Sequence, residues 1–177
     1  MLLEKNSIIV AGVLCTDPLR GFLLRELSRK AGLSTTATKS ALSELSKAGI
    51  ATSKPSGHGN YPTYSANRDD LRFRRFAKAR TVELLYESGL SEYLQNECQP
   101  SAIVLFGSAS RGEDVEGSDL DIYVQAKERK LAGLEKFEKA LGRNIQILFE
   151  EDFHNTGKEL RNNIINGTII RGYLKVF

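Results

Sequence analysis

The chain has 177 residues, of which 41% are hydrophobic and 27% charged, so its composition is that of a globular protein with one domain or two small ones. No apolar run reaches the roughly 18 residues that a membrane-spanning helix needs. The apolar stretch 7–15 lacks the basic start and small-residue cleavage site of a signal peptide. We therefore predict a cytoplasmic protein without a membrane partner, in which Cys15 and Cys98 remain free thiols.

The net charge of +3 is distributed unevenly along the chain. Residues 1–68 contain nine basic and four acidic side chains, residues 69–100 contain five and six, and residues 101–177 contain eleven and twelve. The positive excess therefore lies in the N-terminal part. This asymmetry predicts that only the N-terminal part contacts a polyanion.

The N-terminal part is predicted to contain three helices and a hairpin. The first helix covers 7–15 and ends at Asp17-Pro18. Apolar residues at helical spacing predict a second helix over 19–30. Ser34 is a good N-cap for a third helix, Thr35 to Lys47. The segments 50–54 and 61–65 then flank the Gly-rich stretch 55–60, which predicts a β-hairpin.

Two helices joined by a short Gly-containing turn and followed by a hairpin resemble a winged helix-turn-helix, over residues 7–66. The resemblance implies that the third helix enters the major groove of duplex DNA with its polar face. One alternative is that the winged helix binds a protein. Another is that the polar face of the third helix is simply exposed to solvent. On the DNA-binding interpretation, the contacting residues are Thr35, Thr36, Lys39, Ser40, Ser43 and Lys47 on the helix and Lys54, His58 and Asn60 on the wing.

The next segment, 67–87, is predicted to form one long helix with apolar residues on two opposite sides and basic residues between them. A helix that is apolar on two sides is usually packed on two sides. We expect it to bridge two domains or to form a homodimer interface. Its arginines either contact phosphate or lie over apolar neighbours. A short helix over 91–97 follows.

The stretch from Val104 to Val124 contains the strongest chemical signal in the chain. The apolar run 103–106 predicts a buried strand, Gly107-Ser108 predicts a tight turn followed by a short helix, and 119–124 predicts a second strand. Alternation along that strand places Asp119 and Asp121 on one face. Two carboxylates beside a small-residue turn can hold Mg²⁺ and an anion, a combination that suits a nucleoside triphosphate.

This pattern resembles the minimal nucleotidyltransferases of the DNA polymerase β-like superfamily. The resemblance implies that Asp119 and Asp121 are catalytic ligands of Mg²⁺ or Mn²⁺, and that Gly107 and Ser108 bind the β- and γ-phosphates of NTP. Arg111 would neutralise phosphate or brace Glu113 or Asp114, and Ser118 would orient the turn before Asp119. The residues that match the family signature are Gly107, Ser108, Arg111, Gly112, Ser118, Asp119 and Asp121.

The C-terminal part is predicted to complete an α+β domain with a small mixed β-sheet and helices on one face. We expect an amphipathic helix over 127–141, a strand over 144–149, helical segments over 150–155 and 157–166, and a strand over 168–171. The predicted organisation of the chain is a winged helix-turn-helix (1–66), linking helices (67–99) and a nucleotidyltransferase domain (100–177).

The sequence departs from the family pattern at one position. Active members carry a third carboxylate on the strand that follows the helix, and the alternation along 144–149 places Gln146 there. A neutral amide can neither take a proton nor balance a second cation. Glu150 lies on the same face and would substitute only if the strand register were shifted. The sequence thus predicts binding of nucleotide and metal more firmly than catalysis.

Two functions from different classes follow. The first is a nucleotidyltransferase with a DNA-binding winged helix that transfers a nucleoside monophosphate from NTP to an acceptor. The second is a DNA-binding transcriptional regulator or antitoxin-like protein whose degenerate transferase domain only binds nucleotide or a partner protein. The Gly-Ser turn and the two aspartates favour the first function, whereas Gln146 favours the second.

Overall fold

A computed structural model describes residues 3–55 and 61–176. The chain divides into two compact units, Met1–Ala77 and Lys78–Phe177. No helix in the described part of the chain is long and apolar enough to cross a membrane. The boundary between the units falls inside a helix, α4 (Leu71–Glu87), which therefore contributes residues to both.

The first unit packs three helices against a small antiparallel sheet. Its strands lie in the order β1-β3-β2, and β3 pairs with both neighbours. The two strands of the predicted hairpin pair from Ala51–Ala66 to Lys54–Thr63. The elements are α1 (Lys5–Thr16), β1 (Phe22–Leu23), α2 (Leu24–Ala31), α3 (Thr35–Lys47), β2 (Ala51–Lys54) and β3 (Thr63–Ala66).

The predicted helix over 19–30 is too long at its N-terminal end. Phe22 and Leu23 form a short strand instead, paired with Tyr64 and Thr63, and the helix begins only at Leu24. The apolar side chain of Phe22 is buried in either case, so hydrophobicity alone did not distinguish the two conformations.

The third helix, α3, has the predicted bounds. The hydroxyl oxygen of Ser34 accepts a hydrogen bond from the Ala37 N–H at 3.2 Å, as an N-cap does. The carboxylate of Glu44, farther along α3, accepts hydrogen bonds from the Ser7 hydroxyl and from the Glu4 N–H, so α1 and α3 are joined by polar contacts as well as packing. The apolar side of α3, with Ala41, Leu42 and Leu45, lies in the core of this unit.

The helix α4 begins four residues later than predicted. The carboxylate of Asp70 accepts a hydrogen bond from the Arg72 N–H, in the first turn of α4, at 2.8 Å. Phe73 and Ala77 belong to the hydrophobic core of the first unit, and Leu85 to that of the second. Leu71, the first residue of α4 and an apolar one, is 56% exposed and is therefore not part of a packed side.

The second unit contains a four-stranded mixed sheet in the order β6-β5-β4-β7. The strand β4 runs antiparallel to β5 and β7, and β5 runs parallel to β6. The elements are α5 (Leu90–Cys98), β4 (Ala102–Phe106), α6 (Gly107–Arg111), β5 (Leu120–Val124), α7 (Glu135–Leu141), β6 (Ile145–Phe149), a 3₁₀ turn (Phe153–Asn155), α8 (Lys158–Ile165) and β7 (Thr168–Gly172).

The prediction that the helices lie on one face of this sheet is wrong, because both faces are covered. Ile103 and Leu105 of β4 pack in one cluster with residues of α5 and α7. Ala102 and Val104 face the other way and pack in a second cluster with Ile164 of α8. A strand buried on both faces is a continuous apolar run, which is what β4 shows in the sequence.

Two helical segments are shorter than predicted. The helix expected over 127–141 forms only from Glu135, because Gly133 adopts a positive φ of 78° immediately before it. Leu131 and Leu134 nevertheless pack against the core. Their apolar spacing therefore indicated that they are buried, but not that they lie in a helix. The segment predicted as helical over 150–155 contains a single 3₁₀ turn.

Candidate active site

The two aspartates of the sequence motif lie at the N-terminal end of β5. The strand begins at Leu120, so Asp119 immediately precedes it and Asp121 is its second residue. Leu120 and Ile122 point into one cluster of the core, while Tyr123 points into the other. Asp121 therefore shares the face of Tyr123 and pairs across the sheet with Phe106, the last residue of β4.

Gly107 follows Phe106 and brings the turn into direct contact with Asp121. Its φ of 71° is a conformation that side-chain-bearing residues rarely adopt. A Cβ atom added to Gly107 would overlap the Oδ2 atom of Asp121. Two features therefore favour glycine at position 107: the positive φ of the turn and the close approach of the Asp121 carboxylate. The structure thereby brings Gly107 and Asp121 together, as the sequence motif suggested.

Asp121 lies in an environment that opposes its negative charge. Partial burial, and then the neighbouring charge of Asp119, raise the pKa of Asp121, and Arg143 and Arg111 only partly offset them. Among the described residues, no side chain or backbone N–H donates a hydrogen bond to this carboxylate. A partly buried carboxylate without a donor, next to a second carboxylate, is a suitable ligand for a cation.

Asp119, in contrast, is held by two side-chain amides from the start of β6. Asn144 donates its Nδ2–H to Oδ1 of Asp119 at 3.1 Å, and Gln146 donates its Nε2–H to Oδ2. A carboxylate has about four lone-pair positions, so each oxygen of Asp119 retains one after accepting these bonds. The amides fix the direction of the carboxylate and leave it able to bind a cation.

The strand register decides the question of the third carboxylate. The parallel pairing of β5 and β6 sets Asp121 opposite Gln146, which is the position that the sequence alternation indicated. The alternative, in which Glu150 substitutes through a shifted register, is wrong. Glu150 lies beyond the opposite end of β6, where its carboxylate accepts hydrogen bonds from the Asp152 N–H and the Asn155 amide.

The remaining predicted residues lie in α6 and in the turn that follows it. Ser108 is half-buried in the first turn of α6. Arg111 braces Glu113, one of the two alternatives considered above, through its Nε–H at 2.8 Å from the carboxylate. The hydroxyl oxygen of Ser118 accepts a hydrogen bond from the Val115 N–H at 3.0 Å and so closes the turn before Asp119.

Sequence reasoning missed Arg143 and Asn144. Both follow Gly142, which ends α7, and both precede β6. Because β5 and β6 are parallel, the residues that precede β6 lie beside the residues that precede β5. The available signal in the sequence was a pair of polar residues directly before the strand that runs parallel to the Asp-Leu-Asp strand. The parallel pairing itself was not predictable from local spacing.

The residues present are suited to hold one divalent cation, although they do not form a complete protein cage. No group of three or more His, Cys, Asp or Glu side chains in the described ranges could hold a metal ion. Mg²⁺ usually keeps several waters and takes only one or two carboxylates together with substrate phosphates. Asp119 and Asp121 satisfy that requirement, and the half-buried Gly107–Ser108 turn adjoins Asp121.

The predicted DNA-contacting residues of the first unit form a separate set. Six of these predicted residues lie on the exposed face of α3, and Lys54 is exposed on β2. His58 and Asn60 lie outside the described residues. The six residues of α3 are Thr35, Thr36, Lys39, Ser40, Ser43 and Lys47.

Comparison with known proteins agrees with the geometry of the second unit. Residues 89–172 match the family model described as "Polymerase beta, Nucleotidyltransferase". A putative protein adenylyltransferase of Methanocaldococcus jannaschii is 35% identical to this chain over 69 residues, which cover 35% of this chain and 69% of the relative. The residues matched by the family model include the Gly-Ser turn, the Asp-Leu-Asp strand and the strand with Gln146. The chain belongs to the polymerase β-like nucleotidyltransferase family.

Proposed function

We propose that the second unit transfers a nucleoside monophosphate from an NTP to an acceptor. In this step the oxygen of an acceptor hydroxyl forms a bond to the α-phosphorus, the bond from that phosphorus to the bridging oxygen breaks, pyrophosphate leaves, and the hydroxyl proton passes to solvent. Asp119 and Asp121 would hold Mg²⁺ or Mn²⁺, which supplies positive charge to the phosphates. The observation that carries the proposal is the contact of the Asp121 carboxylate with Gly107.

That contact supports the proposal because it joins the turn that would bind phosphate to a carboxylate that would bind the cation. The backbone N–H groups of the half-buried Gly107–Ser108 turn would suit phosphate oxygens, and Asp121 touches the first residue of that turn. A cation on Asp121 and a phosphate on the turn would therefore be neighbours, as transfer of a phosphoryl-type group requires. Arg111 is 50% exposed beside the same turn, and its ion pair with Glu113 leaves only part of its positive charge for the phosphate side.

The acceptor class to test first is a protein side chain. The archaeal relative is called a putative protein adenylyltransferase, so ATP is the donor to test first. Within this chain, Gln146 cannot accept the proton of an acceptor hydroxyl, because an amide is not a base at neutral pH. The chemistry then depends on positioning and on the charges at the phosphates more than on proton abstraction.

The second candidate function, a regulator or antitoxin-like protein that binds nucleotide without turnover, is favoured by one observation. The register position opposite Asp121 is occupied by Gln146, whose amide is engaged by Asp119. A site with two carboxylates and two neutral amides has less negative charge than a site with three carboxylates. It therefore suits one cation better than two.

We further propose that the first unit is a winged helix-turn-helix that binds duplex DNA through α3 and the β2–β3 hairpin. Its support is the order of helices and strands, the exposed polar face of α3, and the basic excess of residues 1–68. Hydroxyl groups and lysines are the side chains that contact phosphates and base edges in such modules. With this unit, the protein would act near DNA.

The transfer reaction is tested with ATP labelled at the α-phosphate, Mg²⁺ and a cell lysate. We expect labelled protein with the wild-type chain and none with the Asp119→Asn/Asp121→Asn double variant, because the cation loses both carboxylate ligands. The matched control is Glu128→Gln/Glu151→Gln, which removes two exposed carboxylates of the same unit. Nucleotide binding by the wild-type chain without any labelled product would contradict transfer and support the second candidate function.

The contact between Gly107 and Asp121 predicts that Gly107→Ala weakens Mg²⁺-dependent nucleotide binding strongly, since the new methyl group displaces the carboxylate. The control is Gly133→Ala, at a glycine with a similar positive φ of 78° and no atom within 4 Å of a new Cβ. Both variants bear the same backbone strain, of the order of 1 kcal/mol. Isothermal titration calorimetry should show a larger loss for Gly107→Ala, and equal affinities would show that the contact is unimportant.

The amide at Gln146 predicts a specific response to Gln146→Glu. Without Mg²⁺, a third carboxylate beside Asp119 and Asp121 should lower the melting temperature through charge repulsion. With Mg²⁺, the repulsion is relieved, so the increase in melting temperature caused by Mg²⁺ should exceed that of the wild-type chain. Gln95→Glu on α5 introduces the same charge elsewhere and serves as control. A Mg²⁺ response equal to that of the wild-type chain would place residue 146 outside the metal site.

The DNA-binding proposal predicts a change in salt dependence. Each phosphate neutralised by a lysine contributes about 0.9 to the slope of log affinity against log salt. Lys39→Ala with Lys54→Ala should therefore reduce that slope by about 2, as measured by fluorescence anisotropy with duplex DNA. The control Lys139→Ala with Lys158→Ala removes two exposed lysines from the second unit. An unchanged slope in the first double variant argues against docking through α3.

A further inference from the structure

Arg143 lies at the centre of the polar contacts around the turn that precedes Asp119. We propose that Arg143 and Asn144 are positioning residues, which hold Asp119 in the orientation in which its carboxylate binds a cation. This inference rests on the proposed function, since it concerns the cation of that reaction. Neither residue belongs to the sequence motif of the site.

The guanidinium of Arg143 holds the backbone on both sides of Asp119. Its Nε–H donates to the carbonyl oxygen of Ser118 at 2.8 Å, and Nη2–H donates to the carbonyl oxygen of Asp119 at 3.3 Å. These two carbonyls belong to the peptide groups that precede and follow the Cα atom of Asp119. With both peptide groups fixed, the direction in which the Asp119 side chain leaves the backbone is also fixed.

The third contact ties the beginning of the same turn to its end. The Nη1–H of Arg143 donates to Oδ2 of Asp114 at 2.7 Å. The side chains of Arg143 and Asp114 are only 17% and 13% exposed, so solvent weakens this ion pair little. Oδ1 of Asp114 is buried and has no hydrogen-bond partner within the described residues. Asp114 thus depends on Arg143 for its charge balance.

Asn144 completes the arrangement at the carboxylate. Its side-chain amide donates to Oδ1 of Asp119, and its carbonyl oxygen accepts the Leu120 N–H at 2.9 Å. Arg143 and Asn144 therefore hold the backbone before Asp119, the backbone after it, and the carboxylate itself. A planar guanidinium suits three acceptors in fixed directions, which the single ammonium group of a lysine does not reproduce.

Glu138 of α7 in turn fixes the segment that carries both residues. Its carbonyl oxygen accepts the Arg143 N–H at 3.1 Å, and its carboxylate accepts the Ile145 N–H at 3.0 Å. The two positioning residues lie between these contacts. Their support thus comes from a helix and a strand rather than from a free loop, which is how precise ligand geometry is maintained.

The test measures Mn²⁺ binding rather than activity. The full-length chain is titrated with Mn²⁺ in the presence of an ATP analogue that cannot release pyrophosphate, and free Mn²⁺ is followed by electron paramagnetic resonance. The same titration without the chain is subtracted, because the analogue also binds Mn²⁺. We expect Arg143→Lys to bind Mn²⁺ about 10- to 100-fold more weakly, the loss typical of residues that orient metal ligands. Arg171→Lys is the matched control, because Arg171 is an exposed arginine of β7 in an ion pair with Glu92.

A second variant, Asn144→Ala, removes only the amide contact to the Asp119 carboxylate and leaves the buried pair of Arg143 and Asp114 intact. If Arg143→Lys fails to fold, Asn144→Ala provides the test of the proposal. We expect Asn144→Ala also to weaken Mn²⁺ binding. Melting temperatures in EDTA report stability separately for every variant. A lower melting temperature with unchanged Mn²⁺ affinity in both variants would reduce the two residues to a structural role. Absence of Mn²⁺ binding by the wild-type chain would instead contradict the proposed function.

Discussion

The candidate active site depends on the forced proximity of two carboxylates at one end of a β-strand. Asp119 and Asp121 carry like charges on the same face, and partial burial of Asp121 makes its charge more costly. Gly107 permits this arrangement, because any larger residue would exclude the Asp121 carboxylate from its position. A cation between the two carboxylates would relieve the repulsion, so the strain of the site and its proposed ligand have the same electrostatic origin.

The two aspartates differ in how they are supported. Asp119 accepts hydrogen bonds from Asn144 and Gln146, and Arg143 holds its backbone. No donor contacts the Asp121 carboxylate among the described residues, and that carboxylate lies against Gly107. The Asp119 carboxylate is thus fixed in the absence of a cation, and the Asp121 carboxylate is in an unfavourable environment that a bound cation would improve. An amide at Gln146 fits this division, since it can orient Asp119 where an acid would repel it.

The two units differ in charge as well as in fold. The first unit has the basic excess of the sequence and presents hydroxyl and lysine side chains on the exposed face of α3. The second unit has 13 basic and 16 acidic side chains, and its acidic pair Asp119 and Asp121 lies at the N-terminal end of β5. On the proposed functions, such a division would let the first unit attract a polyanion and the second unit bind a metal-bound phosphate. The helix α4 contributes to the hydrophobic cores of both units, with Phe73 in the first and Leu85 in the second.

The sequence by itself determined the local features of this protein. The apolar run of β4, the Gly-Ser turn, the alternation of Asp119 and Asp121, and the capped helix α3 all depend on residues close together in the chain. It also indicated Gln146 at the place of the missing carboxylate. The tertiary structure decided which strands are neighbours, and thereby placed Arg143 and Asn144 beside Asp119 and excluded Glu150. Those contacts join residues about 25 positions apart through a parallel pairing, and local periodicity contains no information about such pairing.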